Sequence, residues 1–347
     1  MINAEDARSL SLIRGQTRKI LEDVVGSGTT VALLDFPSHH NVGDSMILMG
    51  EASYLAQGDN VTGYVADITR YDQATLRRRV PNGPILMHGG GNFGDIWPLH
   101  QPFRERIVQE FPDRKIVQLP QTVYFQSVAA AAQANEILGR HRDYTLLVRD
   151  KLSLERARVQ LPDVRAIFCP DSALGWEPKI PAGQRKQNRM VVLARRDKEA
   201  SSGLLDNLGS TVGPDDKVVD WGLTGGDRII WDVVRLPARF AKLFPRARSS
   251  RLLYPLFVFS YRKNAELNIR AGIRELAGAE LVVTDRLHAH ILAGLLGIRH
   301  LVLDNNYGKV SSIYNDYTHL FSTAEFVADT ASISDHIRNA LNKVRDD

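Results

Sequence analysis

Residues 279–297 read AELVVTDRLHAHILAGLLG, and they decide the fold. Ala279–Val283 is an apolar run with the pattern of a buried strand, and Ile291–Leu296 has the pattern of a helix packed on it. Between them stand Arg286, His288 and His290. In an open α/β sheet, ligands bind in the crevice beyond the carboxyl ends of the strands. Polar residues at that position therefore belong to a site or to a satisfied core. His290 has the second option open, as a core histidine with both nitrogens bonded. As a set, one arginine and two histidines favour a site.

The same alternation runs through the chain. Strands are expected at 31–36, 84–87, 115–119, 144–148, 165–168, 190–194, 217–221, 279–283 and 300–304. Helix-like segments lie between them, such as SMILMGEASYLAQG at 45–58 and KLSLERAR at 151–158. Repeated strand–helix alternation implies parallel strands joined by crossover helices. At 178–189 the text changes to PKIPAGQRKQNR, rich in proline, glycine and charge, which marks a linker. The expectation is an α/β protein of two doubly wound domains, residues 1–180 and 188–347.

The 347 residues, 44% of them hydrophobic, suffice for two cores. A net charge of +4 without a dense basic stripe argues against a duplex nucleic-acid partner. The lone cysteine, Cys169, offers neither an intramolecular disulfide nor metal-ligand spacing. The amino terminus, MINAEDARSLSLIRGQ, lacks a secretory apolar core. No apolar run approaches the roughly 20 residues needed to span a bilayer. These features point to the cytoplasm.

One segment breaks the pattern: RIIWDVVRLPARFAKLFPRARSSRLLYPLFVFSYRK, at 228–263, mixes arginines with large apolar residues. It is expected as an insertion in the C-terminal domain. It suits a helix lying peripherally on an anionic membrane, or equally an insertion with a solvated basic face.

Four motifs could carry chemistry. In FPSHHNVGDSMI (36–47), His39, His40, Asn41 and Asp44 follow a strand, and Asp44 or Ser45 is expected to cap the next helix. In MHGGGNFGDIWP (87–98), His88 and Asn92 flank Gly89, Gly90 and Gly91. Such bare amides commonly approach an anion, although the spacing is neither a Walker loop nor GxGxxG. A third set consists of single polar residues at strand ends: Gln118, Gln121, Arg149, Asp171 and Arg195. Here Arg149 and Asp150 could equally be an exposed ion pair, and Asp171 a turn cap after Pro170. In NNYGKVSSIYND (305–316), the Gly308 turn presents Lys309 at a helix start, an arrangement suited to phosphate or simply a surface lysine. No spacing demands a metal.

Taken in order, Asn41-Val42-Gly43-Asp44, His88-Gly89-Gly90-Gly91-Asn92, Pro120-Gln121-Thr122, Val148-Arg149-Asp150, Pro170-Asp171, Arg286-Leu287-His288-Ala289 and Tyr307-Gly308-Lys309 resemble the polysaccharide pyruvyltransferase family. The resemblance spans roughly residues 30–320. It implies two Rossmann-like domains arranged as in GT-B glycosyltransferases, with the site in the interdomain cleft. It also implies phosphoenolpyruvate as donor, a sugar hydroxyl as acceptor, and a pyruvate ketal on a surface or secreted polysaccharide. Arg149, His288 and Lys309 best match the family's essential positions.

The residues suit that chemistry on their own terms. A donor with a carboxylate and a phosphate needs cations and amide donors. Arg286 or Arg149 would take the carboxylate and Lys309, with Gly308, the phosphate. His288 is the candidate general acid or base, and Asp44 would orient the acceptor. Asn41, His88, Gly90, Gly91, Asn92, Gln121, Asp171, Arg195 and His290 complete the expected substrate-binding set. No cofactor is implied beyond the donor. A lipid-linked acceptor at the inner leaflet would suit a cytoplasmic enzyme. Two other readings compete: a nucleotide-sugar glycosyltransferase on the same architecture, and a non-catalytic assembly protein docked through 228–263. Binding of a nucleotide sugar would mark the first. Tolerance of substitution at the strand ends would mark the second.

Overall fold

The computed structural model describes residues 2–179, 188–195, 203–305 and 308–346. Among the described residues, seven strands form the first sheet: β1 (Thr30–Leu34), β2 (Val61–Ala66), β3 (Ile85–Met87), β4 (Gly90–Gly94), β5 (Ile116–Tyr124), β6 (Tyr144–Val148) and β7 (Ala166–Phe168). Five form the second: β8 (Asn188–Leu193), β9 (Asp216–Val219), β10 (Ala279–Thr284), β11 (Arg299–Val302) and β12 (Ala324–Phe326). Every pairing is parallel.

The first sheet runs β2-β1-β3-β5-β6-β7, with β4 also paired to β5. The second runs β12-β11-β10-β8-β9. With β3 and β4 counted as one interrupted strand, each sheet begins second-first-third from one edge, the flavodoxin-like winding. Such sheets carry their ligand crevice where the winding reverses, between the first and third strands. Those switch points are β1/β3 in the first sheet and β8/β10 in the second.

Apolar strands without alternation are buried on both faces. On β1, Ala32 and Leu34 face a core with Ile85 and Met87, while Val31 and Leu33 face another with Leu86 and Val117. On the second sheet, Met190, Val192, Leu281 and Val283 share one core, and Val191 and Val282 are fully buried beside them.

The chain divides into two contact units that differ from the expected domains. One joins Gly15–Gly175 to Leu223–Leu267; the other joins Met1–Arg14, Trp176–Gly222 and Asn268–Asp347. The segment expected as an insertion in the C-terminal domain therefore packs with the first sheet. The reason lies in β2, an edge strand whose outward amides need acceptors. Tyr254 and Tyr261, on the helix Tyr254–Leu276, supply them: Val65 N donates to Tyr254 Oη at 2.8 Å and Asp67 N to Tyr261 Oη at 3.1 Å. Conversely, Asp6 near the amino terminus accepts from Ser322 N at 2.6 Å and Thr323 Oγ1 at 3.0 Å. Of the expected linker, residues 180–187 lie outside the described residues.

Two of the three consecutive glycines lie in a strand. Gly90 and Gly91 begin β4, which continues β3 along β5. Gly94 closes it with φ +131°, and a Cβ there would lie 1.8 Å from Tyr124 O, so only glycine fits.

Candidate active site

Asp35 follows β1 and starts the first cluster. It adopts φ +61°, a conformation rare outside glycine, and is buried. His100 Nδ1 donates to its carboxylate at 2.9 Å, and Arg104 Nη2 at 3.2 Å. Arg104 is fully buried, with Nε on Gln118 Oε1 at 2.8 Å and Nη1 on Asn92 O at 3.0 Å. Burial pulls its guanidinium below the ordinary value, and Asp35 offsets part of that.

The loop after Asp35 leads into the helix Val42–Gln57. Its cap is Asn41, not Asp44 or Ser45: Asn41 Oδ1 accepts from Gly43 N at 2.9 Å and Asp44 N at 3.3 Å. That leaves the Asp44 carboxylate to accept from His39 Nε2 at 2.7 Å. Partial desolvation lowers the His39 imidazole, but the hydrogen bond and charge of Asp44 outweigh it and the net shift is upward.

His88 follows β3 directly. Its Nδ1 donates to Glu51 Oε2 at 2.7 Å, and Gly89 N donates to Glu51 Oε1 at 2.8 Å. The anion that this glycine amide approaches is thus the protein's own carboxylate. Burial alone would keep His88 neutral, yet the charge and hydrogen bond of Glu51 raise it above its ordinary 6.5. Among the described residues, nothing bonds its buried Nε2. A Cβ on Gly90 would stand 3.7 Å from Asp44 Oδ1, which places that glycine beside the Asp44 carboxylate.

Two glutamines hold the break between β3 and β4 open. Gln118 Nε2 donates to His88 O at 2.9 Å. Gln121 Nε2 donates to His88 O at 3.1 Å and Asn92 Oδ1 at 2.9 Å, while its Oε1 accepts from Asn92 N at 3.1 Å. Both ends of the Gln121 amide, and the Asn92 Oδ1, are thus spent on the strands themselves.

Arg149 follows β6 and is buried. Its partner is not Asp150 in an exposed pair. Nη1 donates to Asp171 Oδ2 at 2.8 Å and Nε to Thr122 Oγ1 at 2.9 Å. Asp150 instead caps the helix Lys151–Gln160, accepting from Ser153 N at 2.6 Å. Asp171 also caps the turn after Pro170 through Ala173 N at 2.9 Å.

The second unit presents its cluster at the β8/β10 switch point. Arg195 follows β8, and its amide donates to Asp285 Oδ1 at 2.9 Å. Arg286 N donates to Thr284 Oγ1 at 3.0 Å, and its Nη2 pairs with Asp220 Oδ1 at 2.5 Å. His288 is half-buried in the first turn of the helix Leu287–Leu296. Gly308, with φ +70°, caps the helix Lys309–Asp316, and Lys309 N donates to Asn305 Oδ1 at 3.0 Å. Lys309 is buried, not a surface lysine. Tyr307 lies outside the described residues.

His290 is a correction to the expected binding set. It is fully buried, with Nδ1 2.7 Å from His300 Nε2 and Nε2 2.7 Å from Thr318 Oγ1. His300 Nδ1 donates to Ile298 O at 2.7 Å, a carbonyl that can only accept. His300 Nε2 therefore accepts from His290 Nδ1–H, and His290 Nε2 accepts from the Thr318 hydroxyl. Burial drives His290 well below its ordinary value and His300 to about 4. Both rings are neutral core groups.

Residue-by-residue reading missed Asp35, Glu51, His100, Arg104, Asp220 and Asp285. Glu51 alone had a local signal, as a carboxylate inside the apolar helix MILMGEASYL.

The family model for polysaccharide pyruvyl transferase matches residues 41–307, from the Asn41 cap through the second switch point. The chain belongs to the polysaccharide pyruvyl transferase family. Among its relatives, the "Putative pyruvyl transferase EpsO" of Bacillus subtilis (strain 168) is 31% identical over 303 residues, 86% of this chain and 88% of that protein. "Pyruvyl transferase 1" of Schizosaccharomyces pombe is 30% identical over 304 residues, 83% of this chain and 70% of that protein. A crystal structure of a functionally uncharacterised Klebsiella pneumoniae protein superposes with a TM-score of 0.55 at 15% identity, covering 91% of this chain and 98% of that one. That likeness shows the α/β fold alone. As a member of the family the chain is a pyruvyl transferase enzyme. The family match stops two residues short of Lys309, whose place rests on its own geometry.

Proposed function

We propose that the enzyme transfers pyruvate from phosphoenolpyruvate to a pair of hydroxyls on one sugar of a polysaccharide or its lipid-linked precursor, releasing phosphate and leaving a cyclic ketal. The observation that carries this reading is the placement of Arg286 and His288 at the β8/β10 switch point, with Arg286 aligned by Asp220. The planar guanidinium of Arg286 has the fork geometry that fits a carboxylate in a two-pronged contact. Lys309, at a helix amino terminus, supplies the charge for the phosphate. The family resemblance adds Arg149 to the donor's cations.

In this reaction His288, as imidazolium, gives a proton to C3 of the enol. C2 becomes electrophilic, a sugar hydroxyl adds there, and its proton goes to a base. The C2–O bond to phosphate then breaks, its electron pair leaving with the phosphate, and a second hydroxyl adds to C2, loses its proton to the departing phosphate and closes the ketal. Asp44, paired with His39, is assigned to orienting the acceptor.

A thermal-shift titration tests the donor without knowledge of the acceptor, because a ligand bound only by the folded state raises its stability. Stabilisation by phosphoenolpyruvate that disappears in Arg286→Ala is expected. Stabilisation by a nucleoside diphosphate sugar instead overturns the reading in favour of glycosyl transfer. With a competent acceptor, His288→Ala is expected to lower phosphate release by at least about 100-fold.

A further inference from the structure

Between 226 and 263 the helices carry one apolar stripe more than packing on the first sheet requires. In the helix Gly226–Val234, Trp231 is buried, but Ile229, Ile230 and Val233 are exposed. In Leu236–Leu243, Ala238 and Ala241 are buried, but Leu236, Phe240 and Leu243, spaced i, i+4, i+7, are exposed. The third case repeats the spacing. Tyr254, Phe257 and Tyr261 are buried, while Leu256 and Phe259, in register with Leu252 just before the helix, stay outside. Among the described residues, ten of the twenty large hydrophobic side chains that are exposed fall between 229 and 259. Scattered exposed apolar residues need no explanation, but such a concentration marks an interaction surface.

Charge identifies the partner. Residues 226–263 hold nine basic and two acidic side chains, while the remaining chain holds 35 basic and 38 acidic. The protein's entire positive excess is therefore in this segment. Apolar stripes bordered by arginine and lysine match an interface of acyl chains beneath anionic headgroups. No helix among the described residues is long and apolar enough to cross a membrane, so the contact is peripheral. The segment is also tied to the first switch point: the His40 ring stacks on Trp231 with centroids 4.0 Å apart, and the adjacent His39 bonds Asp44.

We infer that residues 226–259 form a docking surface for an anionic lipid bilayer, which holds the loop 39–44 near the lipid headgroups. The inference does not depend on the identity of the donor. Its test is co-flotation of the full-length protein with vesicles of phosphatidylcholine alone or mixed with phosphatidylglycerol. Binding to the mixed vesicles only, weakening as salt is raised, is expected. Phe240→Glu/Leu243→Glu should abolish flotation while leaving the melting temperature unchanged, since both side chains are exposed. Arg239→Glu/Lys242→Glu should lower the partition coefficient more than about tenfold. Absence of flotation, equal binding to neutral vesicles, or binding indifferent to both double variants overturns the inference. Self-association in sedimentation that Phe240→Glu/Leu243→Glu disrupts, without vesicle binding, would reassign the surface to a second copy of the chain.

Discussion

His88 and His290 are both buried beside a strand that flanks a switch point, yet they end with opposite electrostatics. His290 has no carboxylate to offset desolvation, and the neighbouring His300 and His288 lower it further, so its proton is lost. Its two nitrogens are consumed in a chain from Thr318 to Ile298. His88 meets the Glu51 carboxylate, which outweighs desolvation, and it keeps a nitrogen that no group among the described residues bonds. Burial is thus the same in both places, and the partner decides whether the ring loses its proton or holds it. The same contrast holds for whole clusters. The β1/β3 end holds a network of buried ion pairs, whereas at the β8/β10 end His288 stands half-buried at a helix start.

The comparison can be broken at its most buried point first. Arg104→Met removes the guanidinium from the buried Asp35 carboxylate, leaving it only His100, and is expected to cost about 3–5 kcal/mol, read as a large fall in the melting temperature. Next comes the neutral pair. A folded-state value below the ordinary 6.5 means stability that is present above 6.5 and lost as pH falls. With His300 at about 4, that one group accounts for roughly 3 kcal/mol between pH 6.5 and 4. His300→Gln can still donate to Ile298 O and accept from His290, so its stability should fall less steeply with acid.

The carboxylate pair should behave in the opposite sense. The His88 value is raised, so its contribution is complete below 6.5 and lost as pH rises through the folded value. Glu51→Gln is expected to cost about 1–3 kcal/mol at acid pH and to flatten the alkaline decline; an unchanged alkaline limb in a denaturation series would sink the assignment. The smallest effect is His39→Ala. The His39–Asp44 pair has one partner half exposed, so its loss should change stability by less than about 1 kcal/mol. If Asp44 orients the acceptor, that variant should nevertheless raise the acceptor KM, which steady-state kinetics would read.

Legibility followed the range of the interaction. The buried central strands announced themselves because both faces are apolar. β2 escaped as an edge strand whose outward side is finished by two tyrosines some 190 residues later. β4 escaped because glycines carry no strand propensity and its identity comes from β5. β12 is only Ala324-Glu325-Phe326. At the site, Arg286, His288 and Lys309 stood out at strand and helix ends. Asp35 and Arg104 did not, being 69 positions apart, nor did Glu51 and His88 at 37. His290 was grouped with His288, yet positions two apart on a helix face nearly opposite directions.

What the sequence by itself determined is the α/β class, the two parallel sheets and the family, because those follow from local periodicity and from residue types placed at strand ends. What only the tertiary structure decided is which charges meet: the Asp35–Arg104 and Glu51–His88 pairs, the withdrawal of His290 into the core, and the attachment of 226–263 to the first sheet. The physical reason is that a side chain's protonation and exposure are set by neighbours brought in by other strands, and those neighbours leave no periodic trace beside the residue they govern.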